Sequence, residues 1–206
     1  MRERLVPLYL GLAALTVLAL GANGPAKAAY IVTLTEFGST VVATGSGTID
    51  LTDLTLANQA SSGAFIVPSQ ADILLGTAGG VADDRYAGFT GPTSFGSGPL
   101  GDAASGTGER VGVDETLGQL ILQRGYTSGT FLSDTDTFNG SFATIGLTPG
   151  TYVWTWGTGA DADSFTLQIG PTTTTAVPEP GSLALLLSAL AGLLGLRGVR
   201  RRIVAL

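Results

Sequence analysis

Residues 149–170 read PGTYVWTWGTGADADSFTLQIG, and this stretch decides the fold class. Large aromatic residues alternate with smaller ones over residues 152–156, which is the period-two pattern of a β-strand. A turn rich in glycine and aspartate follows, and residues 164–169 resume the alternation. The stretch therefore predicts two antiparallel strands joined by a short loop.

The aromatic side chains Tyr152, Trp154 and Trp156 share one face of the first strand, and this face has two interpretations. In one, Trp154 and Trp156 form an exposed platform that stacks on sugar rings. In the other, they fill the interior of a sandwich, with Val153 and Thr155 facing solvent. The second interpretation is favoured because aromatic side chains at period two pack well between sheets.

Upstream segments show the same strand character, and they are separated by turn residues. Residues 40–50 are expected to bulge at their glycines, and residues 117–123 also fit a short helix. The segments with strand character are residues 30–36, 40–50, 64–68, 71–76, 117–123, 152–157 and 164–169. No long amphipathic helix interrupts them. The pattern predicts an all-β fold, an antiparallel β-sandwich with a jelly-roll arrangement as one form.

Three connections carry more specific expectations. Residues 76–110 are rich in glycine, serine and proline and are expected to form a long loop, although residues 85–89 have some strand character. Asn139-Gly140 predicts a tight hairpin turn. Pro149-Gly150 predicts a type II turn before the aromatic strand.

Composition and charge exclude several classes of function. The chain has 31 glycines, 13% charged residues, and neither cysteine nor histidine. Disulfides, thiolate chemistry, Ser-His triads and histidine-ligated metals are therefore excluded. Residues 29–170 contain three arginines against 14 acidic residues, a net charge of −11. Such a charge repels nucleic-acid phosphate, and we expect no nucleic-acid partner.

Paired aspartates are the candidates for metal or acid-base chemistry. Asp134 with Asp136, and Asp161 with Asp163, are expected in loops, where carboxylate and carbonyl oxygens together can bind Ca²⁺. Solvated turn aspartates are the commoner alternative. The same pairs could serve as the two carboxylates of a glycosidase, although acids are too numerous for one pair to stand out. Calcium is the one cofactor that the sequence suggests.

Residues 1–28 have the three parts of a secretory signal peptide. Arg2 and Arg4 precede an apolar stretch, and Ala26-Lys27-Ala28 supplies a small-x-small site for signal peptidase. Cleavage there would start the mature protein at or near Ala29. The alternative is an uncleaved anchor helix.

The other flanking segment begins with a linker, residues 171–177, that contains four consecutive threonines. Pro178-Glu179-Pro180 follows, and its prolines favour an extended backbone around the glutamate. Residues 182–196 are mostly leucine and alanine and predict a transmembrane helix, which is short against the ~20 residues of an ideal span. A basic cluster ends the pattern and favours a cytoplasmic location for that side. The cluster comprises Arg197, Arg200, Arg201 and Arg202.

This order of motif, apolar helix and arginine cluster in residues 178–206 resembles the PEP-CTERM sorting signal. Proteins of that family occur in Gram-negative bacteria that make exopolysaccharide. The resemblance implies recognition and processing by exosortase, a membrane-embedded, transpeptidase-like cysteine protease. A plain tail anchor with a stiff linker is the alternative. Residues 149–170 also resemble the closing hairpin of a group of PEP-CTERM proteins, a resemblance that implies no particular activity.

The sequence therefore predicts three regions: a signal peptide (1–28), an exported β-sandwich domain (29–170), and a linker with a sorting tail. We expect an exported, membrane-anchored surface or matrix protein that is not an enzyme, with exosortase, signal peptidase, the membrane and exopolysaccharide as partners. The second hypothesis is a carbohydrate-binding module, calcium-dependent in one form. The third is a hydrolase that uses paired aspartates.

Overall fold

The computed structural model describes residues 29–170, which form two β-sheets. A four-residue helix, α1, covers Phe142–Ile145. Within residues 29–170, no helix has the length and apolar character needed to span a membrane. The strands are β1 Tyr30–Phe37, β2 Thr40–Thr48, β3 Thr55–Ser62, β4 Phe65–Val67, β5 Asp72–Leu75, β6 Val81–Ala87, β7 Gly101–Asp102, β8 Ser105–Gly108, β9 Val111–Asp114, β10 Gln119–Gln123, β11 Phe131–Asn139, β12 Gly150–Trp156 and β13 Asp163–Ile169.

The two sheets have six and seven strands. Sheet A has the order β12-β13-β1-β2-β11-β8, and sheet B has the order β3-β6-β10-β9-β5-β4-β7. Neighbouring strands are antiparallel except β1 and β13, which are parallel. The expected antiparallel sandwich is therefore present as a sandwich-like fold of two mostly antiparallel sheets, with one parallel pair next to the middle of sheet A.

The hydrophobic core lies between the sheets, because each contributes alternate side chains to it. Sheet A supplies Val32 and Leu34 from β1 and Phe165 and Leu167 from β13, and sheet B supplies residues such as Leu120. All five side chains are completely buried. Burying aliphatic and aromatic side chains of this size stabilises a fold by about 1.5–3 kcal/mol each, which makes the period-two pattern the main determinant of strand register.

All seven predicted strand segments are confirmed. The segments at residues 30–36, 40–50, 117–123 and 164–169 correspond to β1, β2, β10 and β13. The helical alternative for residues 117–123 is wrong, because β10 pairs with strands on both sides. The glycine-containing part of β2 pairs with β1 and β11 without a register shift, so the expected bulge is absent there.

Other expectations at loops are wrong. The span 76–110 contains strands β6, β7 and β8 rather than one long loop, and the strand character noted at residues 85–89 belongs in part to β6. Asn139-Gly140 does not close a hairpin: the chain leaves β11 and enters α1, whose N-cap is Ser141. A type II turn at Pro149-Gly150 would require a positive φ at Gly150. Gly150 does not have one, and it begins β12 instead.

Candidate functional site

The aromatic strand faces the core. Trp154 is 0% exposed and Trp156 is 4% exposed, while Val153 on the opposite face is 42% exposed. The Trp154 ring meets Phe95 and Phe165 edge to face, at centroid distances of 6.4 and 5.6 Å. The core interpretation is confirmed, and the hypothesis of a sugar-stacking platform at Trp154 and Trp156 is wrong because neither indole is accessible.

Both indole N–H groups are used inside the domain. The Trp154 indole donates to Glu115 at 3.2 Å, and the Trp156 indole donates to the Asp50 carbonyl at 2.8 Å. A buried indole N–H needs an acceptor, and these contacts meet that need. The two tryptophans therefore connect β12 to neighbouring loops.

Asp134 lies inside the sandwich rather than in a loop, because it belongs to β11. Its carboxylate accepts a hydrogen bond from the hydroxyl of Tyr30 in β1. The intervening residue of β2 is Gly45, where a Cβ atom would collide with the Tyr30 ring and the carboxylate. Burial, with smaller contributions from the Asp136 and Glu109 charges, raises the pKa of Asp134 to about 7, and the hydrogen bonds from Tyr30 and Gly45 oppose this rise.

Asp136 is the next inward-facing residue of β11, and it is completely buried. One carboxylate oxygen accepts a hydrogen bond from the Gly76 N–H at 2.7 Å, which connects sheet A to the end of β5 in sheet B. Burial raises the pKa of Asp136 to about 7, opposed by the Gly76 N–H and by the Arg110 charge. Asp134 therefore accepts a hydrogen bond within sheet A, whereas Asp136 accepts one across the two sheets.

The structure does not bring the four calcium candidates together. Asp163 begins β13, and β1 and β2 lie between β13 and the β11 strand that carries Asp134 and Asp136. Three interstrand spacings correspond to about 14 Å, too far for one cation. Asp161 is exposed, whereas Asp163 accepts from the Asp50 N–H at 2.6 Å. Among residues 29–170 no group of three or more acidic side chains is placed to hold a metal ion.

The glycosidase hypothesis needs two carboxylates that face one cleft. Asp134 lines a small depression of about 130 Å³ with Thr107, Gly108 and Ser133, but Asp136 does not line it. Within the described part of the chain, this pair does not meet the requirement for that chemistry.

Half of the acidic residues in the described part of the chain are buried, so the net charge of −11 is not all displayed on the surface. Seven of the 14 acids of residues 29–170 are buried, together with Arg85 and Arg110. The buried acids are Asp72, Asp83, Asp84, Asp114, Asp134, Asp136 and Asp163. The charge carried by the remaining surface is therefore well below −11 in magnitude.

The outer face of sheet A is the most distinctive accessible surface. Its side chains alternate with the core residues, and on six strands they are partly or fully exposed and carry no charge. We call its threonine and serine side chains the hydroxyl face. One row of directly opposed residues crosses the whole sheet: Thr107, Thr135, Thr44, Thr33, Gln168 and Thr151.

A depression of about 260 Å³ opens at one end of this face. Val153, Thr155 and Ser164 line it from the outer face of β12 and β13, with Ala29 beside them. Trp156 and the mostly buried Asp163 complete the lining at the end of the two strands. The hydroxyl face and this depression together form the candidate site for contact with an uncharged partner.

Sequence reasoning missed the hydroxyl face, although the signal was present. Threonine or serine recurs at every second position of β11 between Ser133 and Thr137, and of β2 between Thr44 and Thr48. Such alternation in neighbouring strands predicts one polar face. The alignment of the six opposed residues in one row depends on the order and register of the strands. Local sequence patterns do not predict either.

The sorting residues Pro178, Glu179 and Pro180, the predicted helix at residues 182–196 and the signal peptide lie outside the described residues. So does the basic cluster of Arg197, Arg200, Arg201 and Arg202. The chain matches no family model, no curated protein and no solved structure. The PEP-CTERM resemblance therefore depends on the residues that carry it.

Proposed function

We propose that this chain is an exported, membrane-anchored surface or matrix protein that is not an enzyme and is sorted through its Pro178-Glu179-Pro180 motif. The observation that carries the proposal is the order of this motif, an apolar segment at residues 182–196 and an arginine cluster. An exosortase-like enzyme would recognise the extended motif. The apolar segment and the arginines would hold the chain in the membrane during processing.

The position of the folded domain supports this proposal. Strand β1 begins at Tyr30, directly after the predicted peptidase site, and β13 ends at Ile169, directly before the predicted linker. The strands thus occupy the interval between the two predicted targeting segments. Removal of either segment would leave all thirteen described strands intact.

Intact mass measurement of the envelope form in the protein's own host tests the proposal. We expect a species that starts at or near Ala29 and lacks residues 181–206. Changing Pro178, Glu179 and Pro180 to alanine should leave the tail attached, whereas the control Pro171→Ala should be processed normally. A mature mass that retains residues 181–206 in the unmodified protein would contradict exosortase processing.

We propose, as a second function, that the hydroxyl face contacts neutral polysaccharide. The row of five threonines and one glutamine offers hydroxyl and amide groups at strand spacing, and sugar hydroxyls can pair with such groups. No charged side chain interrupts the face, so no ion must lose its hydration when an uncharged glycan approaches. This hypothesis keeps the carbohydrate partner and moves it away from the buried tryptophans.

Co-sedimentation of the full-length protein in detergent with insoluble neutral polysaccharide tests the second function. A triple variant, Thr33→Val, Thr44→Val and Thr135→Val, keeps side-chain shape and strand propensity while removing three hydroxyls from the row. Each lost hydrogen bond is worth about 0.5–1.5 kcal/mol, so binding should fall roughly tenfold or more. Thr55→Val on β3 is the matched control. Equal binding by the triple variant and the control would refute a role for this face.

A further inference from the structure

Three of the four sheet edges in the described structure are short or covered. Strand β7 has two residues and β8 has four, and residues 103–104 join them across one side of the sandwich. Strand β12 is covered at Thr155, which exchanges two backbone hydrogen bonds with Thr90 at 2.8 and 3.0 Å. These are devices that keep a sheet from pairing with another chain.

The fourth edge, β3, differs from the other three. It has eight residues, pairs only with β6 among the described strands, and exposes most of its side chains. Its sequence, TLANQASS, contains no charged residue and no proline. A bulge interrupts the register between Leu56 and Asn58, which leaves residues 58–62 as a regular segment with one unpaired edge. An uncharged, accessible edge of this kind is a template for another strand.

We propose that residues 58–62 of β3 pair antiparallel with the same residues of a second copy of this chain. A two-fold axis at Ala60 would place Asn58 opposite the second copy's Ser62 and Gln59 opposite its Ser61. Amide residues would then lie opposite hydroxyl residues, and the alanines at the axis are small enough to meet. Within each copy, Gln59 donates to Asp84 at 2.7 Å and Ser62 accepts from Arg85 at 2.6 Å, so backbone hydrogen bonds would be the main contacts between the copies. The strand is in this sense self-complementary.

Charge placement favours a second copy as the occupant. Two copies of an acidic domain repel each other, so contact should form where charges are absent or compensated. On the neighbouring strand β6, the Asp83 carboxylate oxygen lies 3.0 Å from the Arg85 Nε. The Asp84 carboxylate oxygen of the same strand lies 3.8 Å from the Nε of Arg124, which follows β10. The edge strand itself is neutral. Because a two-fold contact uses both β3 edges, assembly stops at the dimer and does not continue into a fibre.

Cysteine cross-linking of the full-length protein in detergent micelles tests the register, because the natural chain has no cysteine. Opposed antiparallel residues have Cα atoms about 4.5–5.5 Å apart, within the range that a disulfide bridges. Ala60→Cys should therefore form a disulfide-linked dimer on mild oxidation. Thr107→Cys, exposed on the short edge strand β8, is the control and should remain largely monomeric. Adding Ser61→Lys to Ala60→Cys should slow dimer formation by roughly tenfold or more.

A mixed experiment keeps the test informative if Ala60→Cys folds poorly. Chains with Asn58→Cys, mixed with chains with Ser62→Cys, should form the heterodimer faster than either forms a homodimer. The proposal would be overturned if the Ala60→Cys variant cross-linked no faster than the Thr107→Cys variant. It would also be overturned if Ser61→Lys left the cross-linking rate of Ala60→Cys unchanged. A homodimer preference in the mixture would overturn the register. None of these outcomes depends on processing of the tail, so they are independent of the proposed sorting function.

Discussion

Replacing Asp134 with asparagine should make the stability of the domain less sensitive to pH. The carboxylate is 5% exposed, accepts a hydrogen bond from Tyr30, and lies near the carboxylates of Asp136 and Glu109. Asparagine keeps the shape and an acceptor oxygen for the Tyr30 hydroxyl. It removes the negative charge, which the interior solvates poorly.

The pKa of Asp134 gives the sign and size of the effect. Burial raises it in the folded state from 3.8 to about 7. The folded protein therefore holds a proton between those pH values that the unfolded chain has released. The protonated Asp134 therefore stabilises the folded state. This stabilisation is complete below about pH 4 and is lost as the pH rises to about 7. The shift corresponds to about 4 kcal/mol in the free energy of unfolding.

Thermal unfolding between pH 4 and pH 8, followed by circular dichroism on the full-length protein in detergent, measures this effect. The Asp134→Asn variant should match the natural protein near pH 4 and unfold about 10 °C higher at pH 8. Asp161→Asn removes a carboxylate from the exposed surface and should follow the natural profile. Parallel pH profiles for the natural protein and Asp134→Asn, or a loss of stability in this variant at pH 8, would refute the reasoning.

Two further results are expected. Trp154→Ala should destabilise the domain by about 3–5 kcal/mol, because it empties a completely buried site, and chemical denaturation would measure the loss. An unchanged midpoint would mean that the indole is not a core group. Millimolar Ca²⁺ should leave the melting temperature unchanged, since Asp134 and Asp136 lie several strands from Asp163. A calcium-dependent rise that Asp161→Asn with Asp163→Asn abolishes would contradict this prediction and place a site at that pair.

The sequence predicted those strands whose apolar residues alternate or cluster. Residues 30–36 and 152–169 show this pattern clearly, and they became β1, β12 and β13. Strand β3 was missed because TLANQASS buries almost nothing and has little strand preference. It is held by pairing with β6, a long-range contact that local patterns do not reveal. The parallel pair of β1 and β13 was missed for the same reason.

The inward aspartates of β11 show why the candidate acids were assigned to the wrong setting. Leu132, Asp134, Asp136 and Phe138 all face the core, so the period of two was present. Two acidic residues at core positions break the usual apolar pattern and resemble turn residues instead. Only the position of Tyr30 and of the Gly76 N–H makes those places suitable for a carboxylate.

The placement of the acids bears directly on what the domain does. Every one of the seven buried carboxylates accepts a hydrogen bond from a backbone N–H, a tyrosine, an arginine or another polar group of the domain. These contacts hold the acids in place inside the domain, and one carboxylate oxygen each of Asp83, Asp134 and Asp136 has no hydrogen-bond partner among the described residues. The surfaces that remain distinctive, the hydroxyl face and the β3 edge, are both uncharged. They are the two surfaces to which the proposed contacts belong, glycan at the hydroxyl face and a second copy at the β3 edge.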